Sequence, residues 1–300
     1  MIAAILALGL LLPAVELDLA GYGPPRTIAS LENPEISEAS GLAASLVAPD
    51  RYWLINDSGN APALFAVDRS GATLARATID GVTKNVDWEA LDTFELDGRP
   101  YLIVGDVGDN QGVREETTLY IVEEPVTLPV DTLTIAWRLR LRLPTGATDV
   151  ESLFVDPVER RVYLLTKRKY PAVLWSVPLE PKARGVATAR REGVVSRIPR
   201  PTDADLAEDP RLGQYRGQPT DASMHPDRTG VAVLTYGDAY WFPRREGKTW
   251  AEALALDPWL IELPTLRQAE GTAFSADGST LLVTSEGTPA PLVELQAEMR

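Results

Sequence analysis

The chain contains no cysteine and only one histidine in 300 residues. The absence of cysteine excludes disulfide bonds, thiol catalysis, cysteine-ligated metals and a lipid anchor on cysteine. A Ser-His-Asp hydrolase is also disfavoured, because His225 has no second histidine to support it and the chain has no Gly-x-Ser-x-Gly elbow. We interpret His225 as a packed side chain and not as a catalytic base.

Positive charge is scarce as well. The chain has 29 Lys and Arg against 43 Asp and Glu, which gives a formal net charge of −14. Proteins that bind nucleic acid rely on Lys and Arg to neutralise phosphates, so this balance argues against a nucleic-acid partner. The acidic surplus is compatible with metal binding or simply with solubility. We expect a monomer.

The apolar run at residues 2–12 is too short to span a bilayer, which takes about 20 residues. It is typical of the hydrophobic region of a secretory signal peptide, with cleavage after Ala14 or Ala20, although no Lys or Arg precedes it. A buried N-terminal helix is the alternative. We therefore expect residues 1–20 to be a leader and residues 21–300 to form a single exported domain, periplasmic or extracellular, with no membrane span.

Short runs rich in Val, Ile, Leu, Thr and aromatic residues alternate with turn residues along the rest of the chain. They form four units of four strands, in which the last strand of the second unit is predicted at residues 132–143, and a fifth unit of three strands. A lone strand at residues 26–31 precedes them all, and pairing it with the fifth unit would close a ring and cover an exposed sheet edge. The sequence thus predicts an all-β fold: a five-bladed β-propeller of four-stranded antiparallel blades, with the last blade closed by an N-terminal strand. A six-bladed alternative would split the third unit at residues 202–217, which we interpret as a loop.

One short segment recurs five times, with a polar or acidic residue before a small residue and an outgoing strand. The recurring residues are Ser40, Glu89, Glu151, Asp221 and Glu270. Their spacings of 49, 62, 70 and 49 residues are close to the length of a four-stranded propeller blade. Because the first strand of each blade lines the central channel, we expect the five side chains to form one ring of oxygen atoms.

Such a ring predicts a bound cation. Four carboxylates crowded together raise one another's pKa, and a hard cation removes that cost. Oxygen ligands favour calcium over zinc, which prefers Cys and His. A second tier lies two positions earlier on the same strand face, at Glu38, Asp87, Asp149, Pro219 and Gln268. The alternative is that these acids are solvated turn residues.

The recurring segments resemble a known family. Ser40-Gly-Leu, Trp88-Glu89-Ala-Leu, Glu151-Ser-Leu, Asp221-Ala-Ser and Glu270-Gly-Thr are similar to the calcium-activated nucleotidase (apyrase) propeller, which places Ser or Glu at each such position around a central calcium. Asp221 departs from that pattern, since the family has Ser there. Asn56-Asp57-Ser58-Gly59-Asn60, Asp87-Trp88-Glu89 and Gly105-Asp-Val-Gly-Asp-Asn110 resemble exported bacterial propellers of the phytase-like (esterase-like) and SdiA-regulated families more closely. The resemblance implies the fold and a central calcium, and it leaves the activity open.

Two functions remain open at this point. In the first, the protein is a calcium-dependent hydrolase of phosphoesters or phosphoanhydrides, in which Lys167, Arg168 or Lys169 holds phosphate and Asp87 or Asp149 acts as the base. In the second, it is a calcium-stabilised propeller that binds a ligand or protein without chemistry. The basic stretch favours the first and suggests a small anionic ligand, unless it only balances nearby acids. The lack of a convincing general acid favours the second.

Overall fold

The structure is a computed structural model that describes residues 19–181 and 184–299. The apolar run at residues 2–12 and the proposed cleavage after Ala14 lie outside the described residues, so the leader stays a prediction. The first described strand, β1 (Leu19–Tyr22), spans the second proposed cleavage site at Ala20. In these two ranges the helices have only five or six residues, far too short to cross a membrane.

Five antiparallel sheets, one for each blade, surround a central channel. The blades are formed in chain order, and each runs from an inner strand to an outer strand. The strands of the first blade are β3 (Ala39–Ala44), β4 (Arg51–Asn56), β5 (Ala63–Asp68) and β6 (Thr73–Ile79). Those of the second are β7 (Trp88–Leu96), β8 (Arg99–Asp106), β9 (Thr117–Glu123) and β11 (Ile135–Arg142).

The remaining blades follow the same plan. The third contains β12 (Val150–Asp156), β13 (Arg161–Thr166), β14 (Ala172–Pro178) and β16 (Arg190–Val195). The fourth contains β17 (Pro219–Met224), β18 (Gly230–Thr235), β19 (Ala239–Pro243) and β20 (Trp259–Ile261). The fifth contains β21 (Ala269–Phe274), β22 (Thr280–Ser285), β23 (Ala290–Met299) and the N-terminal strand β2 (Arg26–Leu31).

The closing strand is confirmed. β2 pairs antiparallel with β23, from Arg26 opposite Glu294 to Leu31 opposite Ala290, and β1 covers the end of the same strand. This pairing gives the last blade its fourth strand and leaves five blades. The six-bladed alternative is wrong, because residues 202–217 contain helix α1 (Asp203–Glu208) and a 3-10 turn and no strand.

Three details differ from the sequence-based expectation. The predicted strand at 132–143 is split: β10 (Thr132–Leu133) pairs parallel with β6 of the first blade, and only β11 belongs to the second. A short strand, β15 (Val186–Thr188), extends the second blade beyond β11. Helix α2 (Trp250–Leu254) lies between β19 and β20, where the Thr249–Glu252 capping box starts it and Trp250, 1% exposed, anchors it.

The core consists of five hydrophobic clusters, each shared by two neighbouring blades. The inner strands β3, β12 and β21 are buried along their whole length because both faces contact adjacent blades. His225 belongs to one of these interfaces: its ring lies 5.1 Å from that of Phe274 and 5.9 Å from that of Trp241, between centroids. Its two ring nitrogens contact Asp227 and the Gly278 carbonyl. These contacts support a packed side chain.

Candidate metal centre

Each inner strand begins with a β-bulge, a register shift that leaves one residue without a partner on the neighbouring strand. The five bulge residues are Ser40, Glu89, Glu151, Thr220 and Glu270. All five are at least 96% buried. They form the ring of the propeller, which therefore contains three carboxylates and two hydroxyls.

In the fourth blade the ring position belongs to Thr220 and not to Asp221. The Ser40 hydroxyl of the first blade donates to the Trp88 carbonyl of the second blade, at 2.7 Å. In the same way, the Thr220 hydroxyl of the fourth blade donates to the Ala269 carbonyl of the fifth blade, at 2.6 Å. The two hydroxyls thus occupy equivalent places. The structure does not bring Asp221 into the ring.

Asp221 lies one residue further into the channel. Its carboxylate accepts the backbone N–H groups of Thr272, at 2.7 Å, and Ala222, at 2.8 Å. Burial raises the pKa of Asp221 well above its usual range, although these N–H groups favour the charged form. Asp221 therefore joins two adjacent blades inside the channel.

The residues that directly follow the second strand of each blade form a second set around the mouth. They are Asp57, Val107, Lys167, Tyr236 and Glu286. Two of them provide the partner of a ring carboxylate: Lys167 Nζ lies 2.6 Å from Glu151 Oε2, and the Tyr236 hydroxyl donates to Glu270 Oε1 at 2.8 Å. The equivalent position in the blade of Glu89 holds an apolar valine, which provides no such partner.

Lys167 is the internal cation of the ring. Its side chain is 9% exposed, and its ammonium lies 5.0 Å from the centre of the Tyr236 ring. Burial lowers the pKa of Lys167, but the negative charges of Glu151, Glu270 and Glu89 outweigh burial and raise the pKa above its usual value. In this structure the Lys167 ammonium is thus engaged inside the ring and does not face an incoming anion.

Glu89 faces other carboxylates. One oxygen atom each from Asp57, Asp87 and Glu89 lies within 4.8 Å of the others. Burial, and then the charge of Asp57, raises the pKa of Asp87 to about 6. Burial, followed by the charges of Glu151 and Asp57, raises the pKa of Glu89 well above its usual range. The three acids therefore repel one another strongly when no cation is bound.

Two further observations fit a cation at these acids. Asp87 Oδ1 is buried and finds no hydrogen-bond partner among the residues that the structure describes. Gly108 lies directly against the group, since a Cβ at that residue would lie 2.6 Å from Glu89 Cγ and 2.7 Å from Asp87 Cγ. The ligand set consists only of carboxylate oxygens, which suits a hard divalent cation such as calcium. The three acids fit such an ion, but only Glu89 among them is one of the five ring residues around which the resemblance places calcium.

Two other acids of the second tier, Glu38 and Asp149, are already paired, and Glu38 accepts the Asn60 side-chain N–H at 2.6 Å. Asp149, 5% exposed, accepts the Arg168 Nε–H at 2.6 Å and the Asp109 backbone N–H at 2.8 Å. Arg168 also donates to Asn110. The second tier lies two positions before each ring residue. Because the ring residue of the fourth blade is Thr220 and not Asp221, its second-tier residue is Gln218 and not Pro219. Of the predicted catalytic residues, only Asp87 keeps a buried oxygen without a partner.

Asp57 and Thr220 are the site residues that the sequence pattern does not select. Asp57 follows a second strand and not a first strand, so the recurring segment does not contain it. Thr220 directly precedes Asp221, and the acid at 221 matches the pattern better than a threonine does. The β-bulge between Pro219 and Asp221 identifies Thr220, and the pairing of β3 with β4, which sets Ala39 opposite Asn56, brings Asp57 to the start of the inner strand. Both signals require the strand pairing.

Comparison with known proteins gives structural likenesses only. No protein-family profile matches the chain, and no curated protein matches it in sequence. Among solved structures, the WD40 repeats of RRP9 are 10% identical with a TM-score of 0.40, over 87% of this chain and 67% of that chain. A chain of the nidogen/laminin complex is 12% identical, over 83% and 73%, with a TM-score of 0.42. The Pan2 WD40 domain of Neurospora crassa is 10% identical, over 91% and 96%, with a TM-score of 0.42.

Proposed function

We propose that the protein is a calcium-binding β-propeller that recognises a ligand or protein partner at the channel mouth. Asp57, Asp87 and Glu89 would hold the ion. The observation that carries this proposal is the approach of these three carboxylates to within 4.8 Å, together with the unpaired buried Oδ1 of Asp87. When bound, calcium would neutralise the three charges and join the first blade, which holds Asp57, to the second.

The pairing of the surrounding side chains favours binding over chemistry. Lys167 is bonded to Glu151, and Arg168 is bonded to Asp149, so three of the four predicted catalytic residues are engaged with one another or with the ring. Arg168 retains a 46% exposed side chain at the mouth. It is therefore the basic group best placed to meet an anionic partner beside the ion.

Replacing Glu89 with Gln should have opposite effects with and without calcium. In chelator, the variant should be at least as stable as the wild type, because Gln removes one of three mutually repelling acids. With saturating calcium, the wild type should gain about 3–4 kcal/mol in free energy of unfolding, as expected for a ligand at about 100 to 1,000 times its Kd, and the variant should gain far less. Urea unfolding in EDTA and in calcium measures both effects.

Two further variants make this test specific. Glu95→Gln removes an exposed carboxylate from the same strand and should leave the calcium response unchanged. Gly108→Ala keeps every charge but places a methyl group against Glu89 and Asp87, so it should weaken the calcium response as well. An unchanged calcium response in both Glu89→Gln and Gly108→Ala would show that calcium, if it binds, does so elsewhere.

Calcium-dependent hydrolysis of phosphoesters or phosphoanhydrides is the second candidate. It is favoured by one observation: Asp87, with a pKa raised to about 6 and an unpaired oxygen, is a suitable general base. We expect no turnover of nucleoside diphosphates, phytate or simple esters by the purified protein in calcium. Turnover that chelator removes and that Asp87→Asn abolishes would contradict the binding proposal and establish the hydrolase.

A further inference from the structure

A cavity opens at the end of the central channel opposite the acidic mouth. Its volume is about 200 Å³. One residue from each inner strand, four positions beyond the bulge residue, contributes to its wall. These residues are Ala44, Thr93, Val155, Met224 and Phe274. Four residues of strand correspond to roughly 13 Å, so the cavity is separate from the candidate metal centre.

The wall of the cavity is largely apolar and includes Leu46, Phe94 and Pro157. Two carboxylates accompany them: Asp92, partly buried in the wall, and Glu95, exposed at the rim. Within the part of the chain that the structure describes, no Lys, Arg or His lines the cavity. The negative charge of Asp92 therefore has no basic partner there.

Asp92 has capacity for one more partner on each oxygen. Its Oδ1 accepts the Thr93 backbone N–H and its Oδ2 accepts the Val155 backbone N–H, both at 2.8 Å. A carboxylate oxygen has two lone pairs, so each oxygen can accept a second hydrogen bond. Burial raises the pKa of Asp92 to about 7, and the charge of Asp92 in turn helps to raise that of Asp221. Neither acid forms a salt bridge with a described residue, so this end of the channel holds two acids without a cationic partner there.

We propose that this cavity binds a small organic cation, an ammonium group with an apolar body, by pairing the ammonium with Asp92. The ammonium would donate to the free lone pairs of the carboxylate, and the apolar body would contact Leu46, Phe94 and Val155. A metal ion fits less well, because most of the lining is apolar and offers few further oxygen ligands. The proposal is independent of calcium binding at the mouth.

Benzylamine and its neutral analogue benzyl alcohol test this inference on the full-length protein. We expect benzylamine to bind at pH 8, by NMR titration, at least tenfold more tightly than benzyl alcohol. Its affinity should fall about tenfold between pH 8 and pH 6, since protonation of Asp92 near pH 7 removes the negative charge that attracts the ammonium. Asp221, which lies close by, and Glu95 at the rim are the other acids that bear on this titration.

Three variants identify the residue responsible. Asp92→Asn should weaken benzylamine binding at least tenfold, whereas Glu95→Gln should change it less than twofold. If Asp92→Asn does not fold, Leu46→Lys provides the test, because Leu46 is 40% exposed and a lysine there would compete for Asp92. Equal binding of benzylamine and benzyl alcohol would overturn the proposal. So would unchanged benzylamine binding in Leu46→Lys, or displacement of benzylamine by calcium in the Glu89→Gln protein.

Discussion

Replacing Lys167 with Met should destabilise the calcium-free protein by about 3–5 kcal/mol, the range expected when one partner of a buried ion pair is removed. Met fills a similar volume, so the loss reports the charge. Lys167 Nζ contacts Glu151 Oε2 at 2.6 Å, and Glu151 is 1% exposed, so the variant leaves this carboxylate buried without its cation. Urea unfolding in EDTA at pH 8 measures the effect.

The stability that Lys167→Met loses should depend on pH, and it should be larger at high pH than at low pH. Burial raises the pKa of Glu151 and of Glu270 to about 8 even with Lys167 present. A carboxyl group with a raised pKa in the folded state contributes stability that is present below its unfolded pKa, about 4.3, and is lost as pH rises through the folded value. Lys167→Met should therefore be much less destabilising at pH 5.5 than at pH 8, because the folded protein then takes up the compensating proton.

The neighbouring Lys169 provides the matched control. It is exposed, and Lys169→Met should change the free energy of unfolding by less than about 0.5 kcal/mol, as for most surface substitutions. Calcium should restore part of the stability that Lys167→Met loses, since both cations act on one group of acids. A small, pH-independent loss in Lys167→Met would mean that Lys167 is not the counter-ion of the ring.

Deleting the closing strand should abolish the cooperative fold. A chain that begins at Asn33 lacks β2, which exposes the edge of β23 along Ala290–Glu294 and removes Leu31, a side chain with no exposed surface. An uncovered edge strand pairs with other chains, so we expect aggregation and loss of the whole free energy of unfolding, typically about 5–15 kcal/mol for a domain. Thermal unfolding and size-exclusion chromatography measure the outcome.

A chain that begins at Pro24 is the control, because it distinguishes the loss of the closing strand β2 from the loss of N-terminal residues in general. It keeps β2 and loses β1, including Tyr22, whose ring lies 6.1 Å from that of Phe274. This chain should unfold cooperatively at a lower temperature than the full-length protein. If instead the Asn33 chain remained monomeric with a melting temperature near that of the Pro24 chain, closure by β2 would not be what stabilises the ring.

The outcome for individual elements shows what can be predicted from the sequence. β18 and β22 are recognisable because short apolar runs bounded by turn residues are typical of buried strands. α2 is not, because five residues are too few for a helical periodicity. The Thr249–Glu252 capping box is a local signal for its start, and the contact of Trp250 with the Phe154 ring anchors it. The local sequence pattern also cannot predict that the 132–143 strand is split, because β10 pairs with a strand more than 50 residues earlier.

Within the channel, the register of strand pairing is what the sequence does not reveal. A one-residue shift between strands changes which side chain enters the ring, and a β-bulge is such a shift. The sequence shows acids at Glu89, Glu151 and Glu270 but cannot tell whether Thr220 or Asp221 joins them. It also cannot show that the Lys167 side chain contacts Glu151 inside the channel, because that contact depends on how the neighbouring blades pack.

The sequence by itself thus determined the all-β class, the five blades, the N-terminal closing strand and the crowding of acids at one end of the channel. These features follow from strand periodicity and from a repeat of about one blade length, which are properties of the chain alone. The tertiary structure decided which oxygens meet: it joined Asp57 to Asp87 and Glu89, and it placed Lys167 among the acids. It also gave Asp92 no basic partner among the described residues that line its cavity. Those contacts connect residues from different blades or from different strands of one blade, and only the packing of the closed ring brings them together.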